Sequence, residues 1–101
     1  MTDDTEKPIQ KSRGFQFTKI YATNVVANET DSDVRLYFFN ELLTIDGEKV
    51  AVADGVAMLS KQAAMLLNEQ LNKLVEGWKE RGQPVEISAD RRKVFEQLMK
   101  E

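Results

Sequence analysis

The segment "VRLYFFN", Val34 to Asn40, is apolar on both of the faces that a β-strand would have. Val34, Leu36 and Phe38 would point to one side, and Tyr37 and Phe39 to the other, because successive side chains of a strand alternate. A small one-sheet domain usually covers one face of its sheet only. The segment therefore predicts a central strand that needs packing partners on both faces.

The flanking sequence predicts an antiparallel meander around this strand. From Phe15 to Val26 the chain is rich in alternating, aromatic and β-branched residues, and turn formers follow in "NETDSD". Asp46-Gly47 is a strong hairpin signal, and "VAVADGVAMLS" continues as a third strand. Asp54-Gly55 within that strand predicts a bulge or a second short turn.

The hydrophobic period changes at Ser60, a favourable N-cap residue. Apolar residues then recur at steps of three and four, which predicts a helix from Lys61 to Arg81 that ends before Gly82 and Pro84. "PVEIS" fits either a short fourth strand or an extended connector, and Ser88 is expected to cap a second, shorter helix.

These patterns predict an α+β fold, namely a three- or four-stranded antiparallel meander followed by one long and one short C-terminal helix. Residues 1–14 are polar and interrupted by Pro8 and Gly14, so they are expected to form a flexible tail. Residues 15–101 are expected to form a single α+β domain, since 101 residues suffice for one core.

Composition disfavours several classes of function. The chain has no histidine, which is the commonest general base and metal ligand, and no cysteine, so a nucleophilic site would need an activated Ser, Thr, Lys or Tyr. The acidic turns, with Glu29, Asp31 and Asp33 in one and Asp46 and Glu48 in the other, do not match a calcium-binding loop. We therefore expect no catalytic residue, no metal site and no cofactor, and we expect that the protein is not an enzyme. The sequence contains no long apolar run, so we expect no membrane association and a cytoplasmic location.

Nucleic-acid binding is the alternative function that the residues leave open. Arg91, Arg92 and Lys93 form a basic cluster, and strand aromatics could stack unpaired bases. The region 15–59 carries three basic and seven acidic residues, however, and would repel phosphate. Nucleic acid is therefore the less favoured partner.

Three segments carry a resemblance to a known family: "YATNVV" at 21–26, "VRLYFF" at 34–39 and "VAMLSKQAA" at 56–64, the last continuing through Leu67, Leu71 and Val75 to Trp78. Between Ile20 and Gly82 the chain resembles a prokaryotic family of small proteins catalogued only as a domain of unknown function, number 3467. The chain differs from the family pattern at Thr23, Phe39 and Lys61, among other positions. The resemblance implies an α+β fold and no established activity.

Self-association is the function that the sequence favours most. One long helix can cover one face of the sheet, so the face of Tyr37 and Phe39 needs either the terminal helix of the same chain or a second subunit. We expect a homodimer that acts as a protein-interaction module, and the sequence leaves open a further, unidentified protein partner. The predicted interface residues are Tyr37, Phe39, Leu67, Leu71, Leu74 and Trp78.

Overall fold

A computed structural model describes residues 7–100, and it shows an antiparallel sheet followed by two helices. The elements are β1 (Asn24–Glu29), β2 (Asp33–Ile45), β3 (Glu48–Ser60), α1 (Lys61–Glu80) and α2 (Ala89–Met99). The predicted α+β meander with a long and a short C-terminal helix is confirmed. Among the described residues the sheet has three strands in the order β1-β2-β3, and "PVEIS" is a connector outside it.

The two turns of the meander follow from their residues. Between β1 and β2, the backbone N–H of Thr30 donates to the carbonyl of Asp33 at 2.9 Å. Between β2 and β3, Asp46 and Gly47 both adopt positive φ, 51° and 81°. Positive φ at both central residues is the type I′ geometry, whose twist matches that of the flanking strands. The hairpin predicted from Asp46-Gly47 is therefore confirmed.

The Asp54-Gly55 signal corresponds to a bulge and not to a turn. Phe38 pairs with Gly55 while Phe39 pairs with Ala53, so Asp54 is the extra residue on β3. Gly55 also leaves room for the N-terminal segment, since a Cβ there would lie 3.0 Å from Cδ1 of Ile20.

The first strand begins at Asn24, and the prediction of a strand from Phe15 onward was wrong. Asn40 explains why pairing stops there. Its side-chain amide donates to the Tyr21 carbonyl at 2.6 Å and to the Asp54 carboxylate at 2.9 Å. The main-chain carbonyl of Asn40 accepts a hydrogen bond from the hydroxyl of Thr23 at 2.7 Å. These side-chain bonds take the place of the ladder that a longer first strand would need.

Capping residues fix the start of both helices and the end of α1. Ser60 Oγ accepts from the N–H of Ala63, and Ser88 Oγ accepts from the N–H of Arg91, each at 3.1 Å, so both predicted caps are confirmed. At the end of α1, Gly82 has a φ of 72° and its N–H donates to Lys79, while Gln83 donates to Trp78. This pair of bonds is a Schellman motif, and α1 ends one residue before the predicted Arg81.

The two helices lie on opposite faces of the sheet. The first turns of α1 cover the face of Val34 and Leu36, where Ala64 and Leu67 border the same cavity as these strand residues. On the other face α2 runs beside β1, where Asn24 and Val26 are both only 7% exposed. Among the residues that the structure describes, Val26 is the most deeply buried hydrophobic side chain, and none is completely enclosed. The helices therefore cover the sheet only in part.

Burial of Val26 predicts a larger contribution to stability than that of its neighbour. Val26→Ala should lower the free energy of unfolding by about 2 kcal/mol, because a buried side chain is truncated and a cavity remains. Val25→Ala is the matched control, since Val25 is 42% exposed on the opposite face and should cost less than about 1 kcal/mol. Urea denaturation followed by circular dichroism measures both values, and equal losses would contradict the assignment of the core.

Candidate interaction surface

Tyr37 and Phe39, two of the predicted interface residues, lie on the face that α2 partly covers. In the register of the sheet Tyr37 pairs with Val26 and Phe39 pairs with Asn24, the two residues buried beside α2. Both aromatic residues are half-buried. The sequence left open whether α2 of the same chain or a second subunit covers this face. In the structure α2 of the same chain covers part of it by its contact with β1.

The helix residues of the predicted interface lie on the other side of the sheet. Leu67 and Leu71 line a cavity of about 260 Å³ together with Leu36 and Leu59. The half-buried Leu67 therefore packs on its own sheet. Side chains of a strand alternate, so Tyr37 and Phe39 are separated from this cavity by the sheet itself. The six predicted residues consequently belong to two surfaces.

The second half of α1 carries apolar side chains that the sheet leaves uncovered. Leu74 is 55% exposed, and Val75 is also exposed, while Trp78 is half-buried. Leu66 is 58% exposed one turn after the start of the helix. Leu66 was absent from the predicted interface, and its position beside the main stripe of the helix is the sequence signal for it.

A second uncovered apolar region lies on the hairpin of β2 and β3. β1 pairs with β2 only as far as Phe39, so the rest of the hairpin is a two-stranded ribbon. Leu43, Ile45 and Val52 are exposed on this ribbon. A two-stranded ribbon is marginally stable by itself in water, so this region also lacks packing partners.

The predicted basic cluster is divided between two roles. Arg91 donates through Nη1 to the carbonyl of Thr23 at 3.4 Å, which ties α2 to the start of β1. Arg91 and Arg92 line an open depression of about 280 Å³ that also contains Phe95. Lys93 is exposed on α2 outside this depression. The cluster lies beside β1, and the aromatic residues that share a depression with Arg91 are Phe95 and Tyr21.

An exposed basic and aromatic segment precedes the sheet, and the sequence analysis missed it because it divided these residues between a flexible tail, up to residue 14, and a strand from Phe15. Residues 7–20 contain four basic residues and no acidic residue. Phe15 is 97% exposed and Tyr21 is 81% exposed. The guanidinium of Arg13 lies 4.5 Å from the ring centroid of Phe17, a cation–π arrangement.

The ionisable groups of the described residues form no recognisable chemical centre. Within residues 7–100 no group of three or more acidic side chains is placed to hold a metal ion. The pKa of Asp33 is lowered, chiefly because the hydroxyl of Thr30 donates to its carboxylate at 2.7 Å, with a smaller effect from Arg35 at 3.4 Å. Thr30 Oγ1 also accepts from the N–H of Asp33 at 3.1 Å, so this carboxylate belongs to a turn.

Comparison with protein-family models, with curated proteins and with solved structures finds no match to this chain. The resemblance to the prokaryotic family of unknown function therefore stays a prediction. Neither helix of the described region is long and apolar enough to cross a membrane.

The turn of Thr30 and Asp33 predicts a pH-dependent contribution to stability. Because the pKa of Asp33 is lower in the folded state, its contribution is present above the unfolded pKa and is lost as the pH falls through the folded value. Asp33→Asn should therefore lower the melting temperature at pH 7, and the deficit should be smaller at about pH 2.5, because acidification begins to protonate this carboxyl in the folded state as well. Asp31→Asn, an exposed change in the same turn, is the control. A deficit for Asp33→Asn that is the same at both pH values would contradict the prediction.

Proposed function

We propose that this protein is a non-catalytic interaction module that associates with a second copy of itself as a homodimer. The observation that carries the proposal is the poor coverage of apolar side chains within one chain. Neither α1 nor α2 contains a fully buried residue, although each carries an apolar stripe. Helices are held in proteins mainly by burial of such a stripe, so a partner surface is required.

The exposed area is large enough to form a stable interface. The accessible surface is 9332 Å². A folded monomer of 11.5 kDa is expected to expose about 5,800 Å². The exposed segment before β1 accounts for part of the difference, and α1 and the ribbon account for another part. Obligate dimers bury about 2,000–5,000 Å² in total over the two partners, which this surplus can supply.

The charges of α1 are compatible with a second copy as the partner. α1 carries three basic and three acidic residues, so two copies of this helix have no net repulsion. A two-fold homodimer is also the commonest way to close such an association without leaving free surfaces. A further protein partner, the absence of catalysis and a cytoplasmic location remain predictions from the sequence.

Leu74→Glu should convert the dimer to a monomer, because a charge would enter the apolar interface at high energetic cost. Light scattering coupled to size exclusion at tens of micromolar measures the solution mass against the 11.5 kDa of one chain. Asn72→Glu is the matched control, since it introduces the same charge on a different side of α1 and should leave the mass unchanged. A monomeric mass for the unmodified protein would refute the proposal.

Binding of single-stranded nucleic acid is the second candidate, and one arrangement favours it. Tyr21, with its exposed ring, and Arg91 line the same open depression, next to the basic segment of residues 7–20. An exposed aromatic ring beside cationic side chains is the arrangement that stacks a base and contacts its phosphate. The acidic residues of the strands, and Glu86 in the same depression, would repel phosphate and so act against nucleic-acid binding.

Fluorescence anisotropy with a labelled thymidine oligonucleotide tests this candidate. Binding should appear at about 20 mM salt and weaken more than tenfold at about 200 mM, because counterion release dominates such affinity. Tyr21→Ala should weaken binding further, whereas Tyr37→Phe on the half-buried face should not. No binding at low salt would eliminate nucleic acid as a partner.

A further inference from the structure

Five residues of α1 form a narrow stripe along the helix, next to the row of residues that packs on the sheet. A residue of an α-helix advances by about 100° around the axis, which places these five within roughly 80° of one another. They are Ala63, Leu66, Gln70, Leu74 and Gly77. The residues that line the cavity against the sheet, Ala64, Leu67 and Leu71, lie to one side of this stripe. Leu66 and Leu74 are both more than half exposed, so the stripe has no apolar cover from the described part of its own chain.

On either side of Gln70 the stripe has the same kinds of residue at the same spacings. Leu66 and Leu74 lie four residues before and after it, and Ala63 and Gly77 lie seven residues before and after. In an antiparallel pair of identical helices with the two-fold axis at Gln70, each leucine therefore meets the other leucine of the second copy. The small residues meet at both ends of the contact, where they allow close approach of the backbones.

The charges beside the stripe are compatible with the same alignment. Glu69 and Lys73 lie on one flank of it, about 40° apart around the axis. In an antiparallel two-fold pair this flank meets the same flank of the second copy. Glu69 of one copy then lies about 3 Å along the axis from Lys73 of the other, twice over by symmetry, and the two Glu69 residues are separated by a similar distance along the axis, so each lysine offsets the repulsion between them. A parallel alignment would instead place this flank against the sheet-facing side of the second helix.

The polar residue at the centre of the stripe also fits a two-fold axis. The amide of Gln70 now donates to the carbonyl of Leu66 at 3.2 Å within the helix. A glutamine amide has both donors and an acceptor, so two glutamines related by a two-fold axis can bond to each other. At Gly77 the nearest atom to an added Cβ is the guanidinium of Arg81, at 3.2 Å, which is the mobile end of a long side chain. Arg81 can therefore move aside when a second helix approaches.

We propose that α1 pairs with α1 of a second copy in antiparallel orientation, with the two-fold axis at Gln70 and Leu66 packed against Leu74. This inference rests on the proposed self-association and specifies its partner, its surface and its orientation. It replaces Leu67 and Leu71 of the predicted interface, which pack toward their own sheet, with Leu66 and Gln70. Leu74 is common to both.

Cysteine cross-linking tests the orientation directly, because the chain has no cysteine of its own. Three single variants are made, Gln70→Cys, Leu66→Cys and Leu74→Cys, and are oxidised with copper–phenanthroline. A disulfide needs Cα atoms within about 7 Å, so only residues that face each other across the interface should join. Asn72→Cys, on a different side of the helix, is the control for random collision.

The antiparallel pair predicts a distinctive pattern. Gln70→Cys should cross-link alone, whereas Leu66→Cys and Leu74→Cys should each cross-link no more than the control. An equal mixture of these two, after subunit exchange, should give at least about fivefold more covalent dimer than either alone, because only the mixed pair satisfies the disulfide distance.

The solution mass, measured on the same samples before oxidation, separates the two proposals. A monomeric mass of the unmodified protein, measured alongside them, refutes self-association and with it this inference. A dimeric mass with cross-linking of Leu66→Cys alone overturns the antiparallel orientation. A dimeric mass with all variants at the level of Asn72→Cys assigns the interface to another surface, and in that case self-association stands while the pairing of α1 is refuted.

Discussion

The central strand β2 is apolar on both faces, and the arrangement of the other elements depends on that constraint. Burial of apolar surface is the main stabilising term of a small domain, so each face needs a cover. α1 supplies one by packing Ala64 and Leu67 over Leu36. α2 supplies the other beside β1, where Val26 is buried next to Tyr37. Because both covers are partial, the same constraint also creates the surfaces that favour association.

Asn40 divides the molecule into a layered part and a ribbon. Its bonds to Tyr21 and Asp54 close the three-stranded region at the point where the bulge interrupts β3. Before Asn40, β2 has a neighbour on each side and helices above and below. After Asn40 it has β3 alone, and Leu43 and Ile45 are exposed. One side chain thus sets the boundary between the covered and the uncovered parts of the sheet.

Cap and turn residues in the sequence predicted the helices and the hairpin. The extent of the first strand and the covering of each apolar face depend on long-range contacts, which the sequence does not show. The caps at Ser60 and Ser88 and the Asp46-Gly47 turn depend on bonds within a few residues, so their sequence is sufficient. The alternation from Phe15 onward is typical of a strand, but a strand needs a partner, and the ladder gives way to a side-chain bond from Asn40 to Tyr21, 19 residues away. The predicted interface residues lie on two surfaces, and the sequence could not show what covers each of them for a related reason. Periodicity identifies an apolar face, but it does not identify which neighbour covers that face.

The bulge at Asp54 has a consequence for the free edge of the sheet. β3 is an edge strand of 13 residues, and an edge of that length offers unpaired backbone groups to any other extended chain. Asp54 breaks the regular spacing of those groups near the middle of the strand and adds a carboxylate there. Two copies of this edge therefore cannot pair through backbone hydrogen bonds along their whole length. Runaway strand addition, the route to fibrous aggregates, is thereby obstructed, and contacts between copies are left to side chains.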